Sequence, residues 1–179
     1  MMNVTTCGGG TPAGAACSTA TDSELDTTNY GDSDDGYSNA SNTIYHGAKV
    51  TINGTLTAYI IRGYEDLAAG QTTSAELWAD DGGAPSRPAA GGLVADTTVT
   101  IDQASLPAAV ADYEFAVASP KAGLSGTYWI VVRASAGQYR VARDISAVTG
   151  TYSSSTDSGA TWGAPATSYQ FRVKALGCP

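Results

Sequence analysis

The sequence predicts an all-β domain, an antiparallel β-sandwich or barrel of about eight or nine strands. Short segments alternate apolar and polar residues with a period of two, and turn residues such as Gly, Asp and Pro separate these segments. No window of eleven or more residues carries a helical stripe with caps at both ends. Residues 104–111 are rich in Ala, but Pro107 interrupts them and limits any helix there to a single turn. Strands of this length and spacing are typical of sandwiches and barrels.

The first strands are predicted on either side of Asn53-Gly54, the dipeptide that best tolerates the positive φ angles of a type I′ turn. Lys49–Ile52 precedes this turn and Thr55–Arg62 follows it with alternating apolar residues, so together they predict a β-hairpin. Ser74–Ala79 predicts a further strand. It ends at Asp80–Gly83, whose two Asp and two Gly residues indicate another turn.

Five later segments also have strand patterns. Leu93–Ile101 and Tyr113–Ala118 place apolar residues at alternate positions. Gly126–Arg133 carries large apolar groups on both faces, which predicts a strand at the centre of a sheet. Tyr139–Arg143 alternates cleanly, and Tyr169–Ala175 has Tyr, Phe, Val and Ala on one side and Gln, Arg and Lys on the other.

The composition favours a folded domain built from small side chains. Gly, Ala, Thr and Ser supply 90 of the 179 residues, and Leu, Ile, Val and Phe supply fewer than one in six. The share of Leu, Ile, Val and Phe is below the roughly 20% under which chains tend to be disordered. Ten Tyr and three Trp residues nevertheless indicate a folded domain. We expect small side chains to let two sheets approach closely, with Trp78 and Trp129 filling the remaining volume.

Charge and hydropathy exclude two classes of partner. The net charge is −8, with nine Lys and Arg against 17 Asp and Glu, so the clustered cations that neutralise phosphates are lacking. Nucleic acid is therefore not an expected partner. The longest strongly apolar stretches, Ala58–Ile61 and Tyr128–Val132, are far shorter than the roughly 20 residues of a membrane span, so no membrane insertion is expected.

Residues 1–42 are predicted to form an extended arm ahead of a sandwich domain at residues 43–179. From Thr19 to Asn42 the chain is rich in Ser, Thr, Asn, Asp and Gly, so it cannot bury enough apolar surface alone. Its acidic residues have two interpretations, a calcium site and a solvated loop, and their spacing departs from that of an EF-hand. We predict no metal and no cofactor. The acidic residues of the arm are Asp22, Glu24, Asp26, Asp32, Asp34 and Asp35.

An odd number of cysteines leaves at least one without an intramolecular partner. Cys7 and Cys17 bound a Gly-, Pro- and Ala-rich segment whose flexibility permits a local disulfide. Cys178 stands one residue from the end of the sequence, where a mobile terminus suits an intermolecular disulfide. The alternative is three free thiols. The chain has no CxxC motif, and His46 is its only histidine, so the cysteines do not suggest a metal site.

Four motifs, taken in their order along the chain, resemble a jelly-roll-like β-sandwich module. The motifs are Leu77-Trp-Ala-Asp-Asp-Gly-Gly83-Ala-Pro85, Leu124-Ser-Gly-Thr-Tyr128-Trp-Ile-Val-Val132, Ser155-Thr-Asp157-Ser-Gly159-Ala-Thr-Trp162 and Tyr169-Gln-Phe171-Arg-Val173-Lys-Ala-Leu-Gly177. The module occurs in structural proteins of tailed bacteriophages and in secreted bacterial surface proteins of the choice-of-anchor type. The resemblance covers roughly residues 43–177. In one departure, the module's Asp-Gly-Gly is Asp157-Ser158-Gly159 in this chain.

The resemblance implies an accessory, non-enzymatic role as a virion structural protein: a capsid decoration, collar or tail-fibre component that assembles through its amino-terminal arm. Its partners would be other virion proteins and copies of itself, with a trimer expected by analogy. Met1–Thr6 lack the basic and apolar regions of a signal peptide, so we expect assembly in the host cytoplasm and release within the particle. Glu65, Glu76 and Glu114 are isolated acids near predicted strands, unlike the paired carboxylates of a glycoside hydrolase.

The alternative implied by the resemblance is a carbohydrate-binding module on a phage fibre or a bacterial cell surface. Sugar rings stack on aromatic side chains, and several aromatic residues fall in predicted loops. The residues expected to contact a glycan are Tyr152, Trp162 and Asp157. In this alternative the protein would be secreted or held at the cell surface.

Overall fold

The computed structural model describes residues 23–26, 36–65, 70–136, 138–144, 152–165 and 170–178. These residues contain eleven β-strands and one 3₁₀ turn, Gln103–Ser105, and no α-helix. The strands are β1 (Ser23–Asp26), β2 (Gly36–Ala40), β3 (Tyr45–Glu65), β4 (Thr72–Asp80), β5 (Pro88–Leu93), β6 (Val99–Asp102), β7 (Ala111–Ala134), β8 (Tyr139–Asp144), β9 (Tyr152–Ser155), β10 (Gln170–Phe171) and β11 (Val173–Cys178). The prediction of an all-β fold is confirmed. Within this part of the chain no helix is long and apolar enough to cross a membrane.

The two longest strands, β3 and β7, form an antiparallel ribbon that organises the whole sheet. At one end of the ribbon β9 pairs with the start of β3, and β4 pairs with the end of β7 and carries β5 and β6. At the other end β11 pairs with the second half of β3 and carries β1. β8 pairs with the end of β3, with β2 and with β10. All these pairings are antiparallel, as predicted.

The register of the β3–β7 ribbon shifts at its middle, between Gly54 and Leu56 and again between Leu56 and Ala58. Gly54 on β3 and Gly123 and Gly126 on β7 adopt positive φ angles there, which only glycine accommodates without strain. β-Bulges of this kind bend a strand and increase its twist, so the two ends of the ribbon curl toward each other. The result is a sandwich-like enclosure built from one curled sheet.

Two sequence predictions fail at these bulges. Asn53-Gly54 is not a hairpin turn: β3 continues through it, and Asn53 pairs with Ser125. The segments Tyr113–Ala118 and Gly126–Arg133 are likewise parts of one strand, β7. Gly54 has the positive φ angle that the dipeptide predicts. Because β3 pairs with β7 on both sides of Gly54, this glycine forms a β-bulge and the chain does not reverse its direction.

The core lies between the two ends of the ribbon. Ile52, Leu77 and Ile130 come from one end and Tyr59 and Phe115 from the other, and all are fully buried in one cluster. Small side chains surround them as expected. The buried alanines of the described residues are Ala40, Ala48, Ala58, Ala75, Ala134, Ala142 and Ala175.

Part of the predicted arm belongs to the sheet. β2 pairs with β8 over five residues, and β1 pairs with β11. The folded unit therefore begins ahead of the boundary predicted at residue 43, because these polar segments obtain their backbone hydrogen bonds from the chain's own strands. Residues 1–22 and 27–35 lie outside the described residues, and with them Cys7, Cys17 and four of the six acidic residues of the arm.

Candidate functional site

The outer face of one end of the sheet carries a second aromatic cluster, separate from the main core. β7 lies between β3 and β4 there, which confirms the prediction of a central strand with two apolar faces. Ile130 of β7 faces the core, so Trp129 and Val131 face outward, and Trp129 pairs with Trp78 of β4. Trp78 and Trp129 were predicted to fill the main core. They are buried as expected, but on the opposite face of the sheet.

Carboxylates hold the two indoles in place. Trp78 donates its Nε1–H to Oε2 of Glu76 at 2.9 Å, and Trp129 donates to Oδ2 of Asp80 at 2.9 Å. Glu76 is 2% exposed, and its Oε1 lies 2.8 Å from Nη2 of Arg133. Burial disfavours the charged form of Arg133, but the hydrogen bond and the charge of Glu76 outweigh burial and raise its pKa. The guanidinium also lies over the ring of Tyr45, 5.8 Å from its centroid.

The loop after β9 folds over this outer face, and Asp157 organises it. Asp157 accepts hydrogen bonds from the hydroxyls of Thr161 (2.6 Å) and Ser155 (2.7 Å) and from the backbone N–H of Thr161 (2.8 Å). These bonds, led by that of the Thr161 hydroxyl, lower the pKa of Asp157 to about 2. Gly159, with φ +83°, brings the backbone against Trp78. The loop thereby sets Trp162 edge-on against Trp78, with ring centroids 5.5 Å apart.

A cleft of about 250 Å³ opens between this loop and the start of β5. One wall comes from the segment that joins β4 to β5, and the other is the end of the Asp157 loop. The residues that line it are Asp81, Arg87, Pro88, Ala90, Ala160, Thr161 and Trp162. The cleft therefore combines a carboxylate, a guanidinium and a hydroxyl with apolar surface.

Hydrogen bonds to and from Asp81 fix the first wall of the cleft. Oδ1 of Asp81 accepts the backbone N–H groups of Gly83 (2.9 Å) and Arg87 (3.0 Å), and the Asp81 N–H donates to the Arg87 carbonyl (2.9 Å). The two backbone bonds, with the charge of Arg87, lower the pKa of the Asp81 carboxyl. Nη1 of Arg87 donates to the Trp162 carbonyl at 3.1 Å, which ties the two walls together.

A second cleft, of about 280 Å³, lies beside Tyr37 and Tyr64 and is otherwise lined by Ala108, Ala109 and Val110. The two tyrosine rings meet edge to face at 5.0 Å. Arg140 covers Tyr64 and donates to its hydroxyl at 2.9 Å. This cleft presents mainly apolar surface, so it offers less directional chemistry than the cleft beside Trp162.

The structure separates the three residues expected to contact a glycan. Trp162 and Asp157 belong to the loop that forms one wall of the first cleft, although Trp162 is only 6% exposed. Tyr152 lies apart from them, in the main core cluster. It is 7% exposed, faces the core and packs against Phe171 and His46, so it offers no ring face to a ligand.

His46 is buried in the same aromatic group. Its Nε2 lies 2.9 Å from the Asn39 carbonyl, and Nδ1 lies 3.4 Å from the Tyr152 hydroxyl. Burial is the main cause that lowers the pKa of His46 to about 4; the hydrogen bond to Asn39 opposes this shift, and the charge of Arg143 adds to it. Among the described residues no group of three or more His, Cys, Asp or Glu side chains is arranged to hold a metal ion.

Cys178 ends β11 opposite Thr55, and it is not a free thiol in the structure. It is the only cysteine among the described residues, so they contain no complete disulfide and do not assign the pairing of the three cysteines.

Comparison of the chain with protein-family models, with curated proteins and with solved structures finds no match. The resemblance to the phage and choice-of-anchor module therefore stays a prediction that rests on the quoted motifs.

Proposed function

We propose that this protein is a non-enzymatic structural component of a tailed-bacteriophage virion, such as a capsid decoration, collar or tail-fibre protein. The observation that carries the proposal is the order of the four motifs within one all-β domain. The motif from Ser155 to Trp162 has a clear physical role there, because it folds over the outer face of the sheet and covers Trp78.

The hydrogen bonds of the acidic side chains favour a structural role. Glu76 and Asp80 accept hydrogen bonds from buried indoles, and Asp157 accepts three from its own loop. Carboxylates engaged in this way stabilise the fold, whereas a catalytic acid or base needs a proton path to a substrate. We propose assembly in the host cytoplasm through residues 1–22, which precede β1, with copies of the chain forming a trimer.

Fractionation tests the proposal. Antibodies raised against the full chain are used to probe density-banded particles, the cell envelope and the medium of a culture that expresses the gene. A virion component bands with intact particles and stays with them after washing in high salt. Recovery in the envelope or the medium, with none in the particle band, contradicts the proposal. Sedimentation of the purified chain tests the trimer separately, and a monomer at all concentrations contradicts that part.

The second candidate function, a carbohydrate-binding module, is favoured by one observation, the cleft between Arg87 and Trp162. It combines paired charges, a hydroxyl and apolar surface at a size suited to a small ligand. In this case the protein would act on a phage fibre or at a cell surface.

A further inference from the structure

We propose that the cleft between the β4–β5 segment and the Asp157 loop binds one ring of a neutral saccharide. The proposal deepens the second candidate function and rests on it, but it does not depend on where the protein resides. Its site differs from the sequence prediction, because Asp81, Arg87 and Pro88 replace Tyr152.

The size and lining of the cleft select the class of ligand. A volume of about 250 Å³ is below the roughly 300–1,000 Å³ of sites for drug-sized ligands, so the cleft takes a single ring and not an extended chain. Pro88, Ala90 and Ala160 provide an apolar surface for the C–H groups of a pyranose. Asp81, Arg87 and Thr161 provide acceptors and donors for its hydroxyls.

The charge balance of the cleft favours a neutral ligand. The Asp81 carboxylate lies 3.6 Å from Nε of Arg87, so the two charges largely compensate each other. Asp157, also ionised at neutral pH, stands behind Thr161. An anionic sugar or a phosphate would meet two carboxylates for one guanidinium, in a protein whose net charge is −8.

The polar groups are held in place before any ligand binds. Asp81 is fixed by two backbone N–H groups, and Thr161 is fixed by Asp157. Nη1 of Arg87 is engaged by the Trp162 carbonyl, and the other terminal nitrogen, Nη2, makes no hydrogen bond within the described residues. Preorganised groups lose little conformational entropy on binding, which favours recognition of a small ligand.

The indole of Trp162 lies in the wall of the cleft, so its N–H signal would report on a ligand bound there. Its Nε1–H is buried and has no acceptor within the described part of the chain, whereas the Nε1–H groups of Trp78 and Trp129 donate to carboxylates. A buried donor without a partner is costly in free energy. This donor has no surface open to solvent, so a bound sugar would contact other atoms of Trp162, which lines the cleft.

An NMR titration of the ¹⁵N-labelled full chain tests sugar binding, because each of the three tryptophans gives one indole N–H signal. The probes are methyl α-glucopyranoside, methyl α-mannopyranoside and methyl β-galactopyranoside, with glucuronate as the anionic comparison. The Trp162 signal is identified from its loss in Trp162→Phe. We expect at least one neutral probe to shift this signal saturably with a millimolar Kd, while the Trp78 and Trp129 signals move much less.

Matched variants locate the binding site. Arg87→Gln should weaken binding about tenfold through loss of a charged donor, whereas Arg62→Gln, which breaks a surface ion pair with Asp112 elsewhere on the sheet, should leave binding unchanged. Ala90→Leu should block the cleft without removing a polar group. Ala118→Leu, at another exposed alanine, is its control.

The inference is overturned if no neutral probe shifts the Trp162 signal up to about 50 mM, if glucuronate alone binds, or if Ala90→Leu binds as well as Ala118→Leu. Particle fractionation is a separate measurement, so the failure of sugar binding and the failure of the virion proposal can be told apart.

Discussion

His46 makes the stability of the fold depend on pH, and the direction and size of this effect follow from its environment. Burial lowers its pKa from 6.5 to about 4. Between these two pH values the unfolded chain binds a proton at His46 and the folded protein does not. Acidification through this range therefore favours unfolding. The contribution of neutral His46 to the free energy of unfolding is complete only above pH 6.5, its pKa in the unfolded chain, and is lost as the pH falls toward about 4.

The magnitude can be worked out from this pKa difference. A difference of one in pKa corresponds to about 1.4 kcal/mol, so the full interval is worth about 3 kcal/mol. About 2 kcal/mol of this is lost between pH 7 and pH 5. That window lies above the ordinary pKa of Asp, 3.8, so carboxylate titration adds little to it.

Urea unfolding at pH 7 and pH 5, followed by tryptophan fluorescence, measures the free energy of unfolding. The control is His46→Gln, whose amide can donate to the Asn39 carbonyl without titrating. Between pH 7 and pH 5 we expect the free energy of unfolding of this variant to fall by about 2 kcal/mol less than that of the wild type. Because His46 is the only histidine, its imidazole signals in an NMR titration report its pKa directly. A pKa near 6.5, or an equal loss of stability in both proteins, would refute the reasoning.

Three further predictions concern the outer aromatic cluster. Glu76→Gln should lower the free energy of unfolding by about 2 kcal/mol, which is less than the roughly 3–5 kcal/mol for a broken buried ion pair because Arg133 is 30% exposed; an unchanged urea midpoint would contradict this. Gly159→Ala should cost about 2 kcal/mol, because φ is +83° and the new Cβ would lie 2.7 Å from Trp78; the same measurement checks it, with Gly82→Ala, where φ is also positive but the space is open, as control. Asp157→Asn should speed hydrogen exchange at the Thr161 amide. In the wild type, acidification from pH 3.8 toward about pH 2 should lower the protection factor of this amide, which is its exchange rate corrected for the intrinsic pH dependence of exchange. Equal protection in both proteins at neutral pH would show that the carboxylate does not hold the loop.

Local sequence patterns predicted the strands well where the apolar residues show which faces of a strand are buried. In β7 the consecutive apolar residues Trp129, Ile130 and Val131 predicted a strand at the centre of the sheet, because two apolar faces need cover on both sides. The single turn permitted near Pro107 is the 3₁₀ turn at Gln103–Ser105. In these places local preference and tertiary packing agree.

The pattern failed where the chain bends without reversing. Asn53-Gly54 has the chemistry of a hairpin turn, and a hairpin and a bulge both use a glycine with positive φ. Only the partner strand distinguishes them, and this partner, around Leu124 and Ser125, is about 70 residues away in the sequence. The burial of Tyr152 was not predictable from the local pattern for a similar reason, since it depends on Phe171 and His46, which belong to distant segments.

Sequence patterns could not predict the candidate site, because the cleft forms only where two connections cover the outer face of the sheet. A solvent-facing side of an antiparallel sheet is usually polar, yet here Trp78 and Trp129 occupy it and need a cover. The Asp157 loop supplies that cover with Trp162, and Arg87, 75 positions earlier, reaches across to the Trp162 carbonyl. The cleft is the space left between these two connections. Hydrogen bonds tie one wall to the other and Asp157 to its own loop, so variants that break the loop's bonds, such as Asp157→Asn, should weaken sugar binding together with protection of the Thr161 amide.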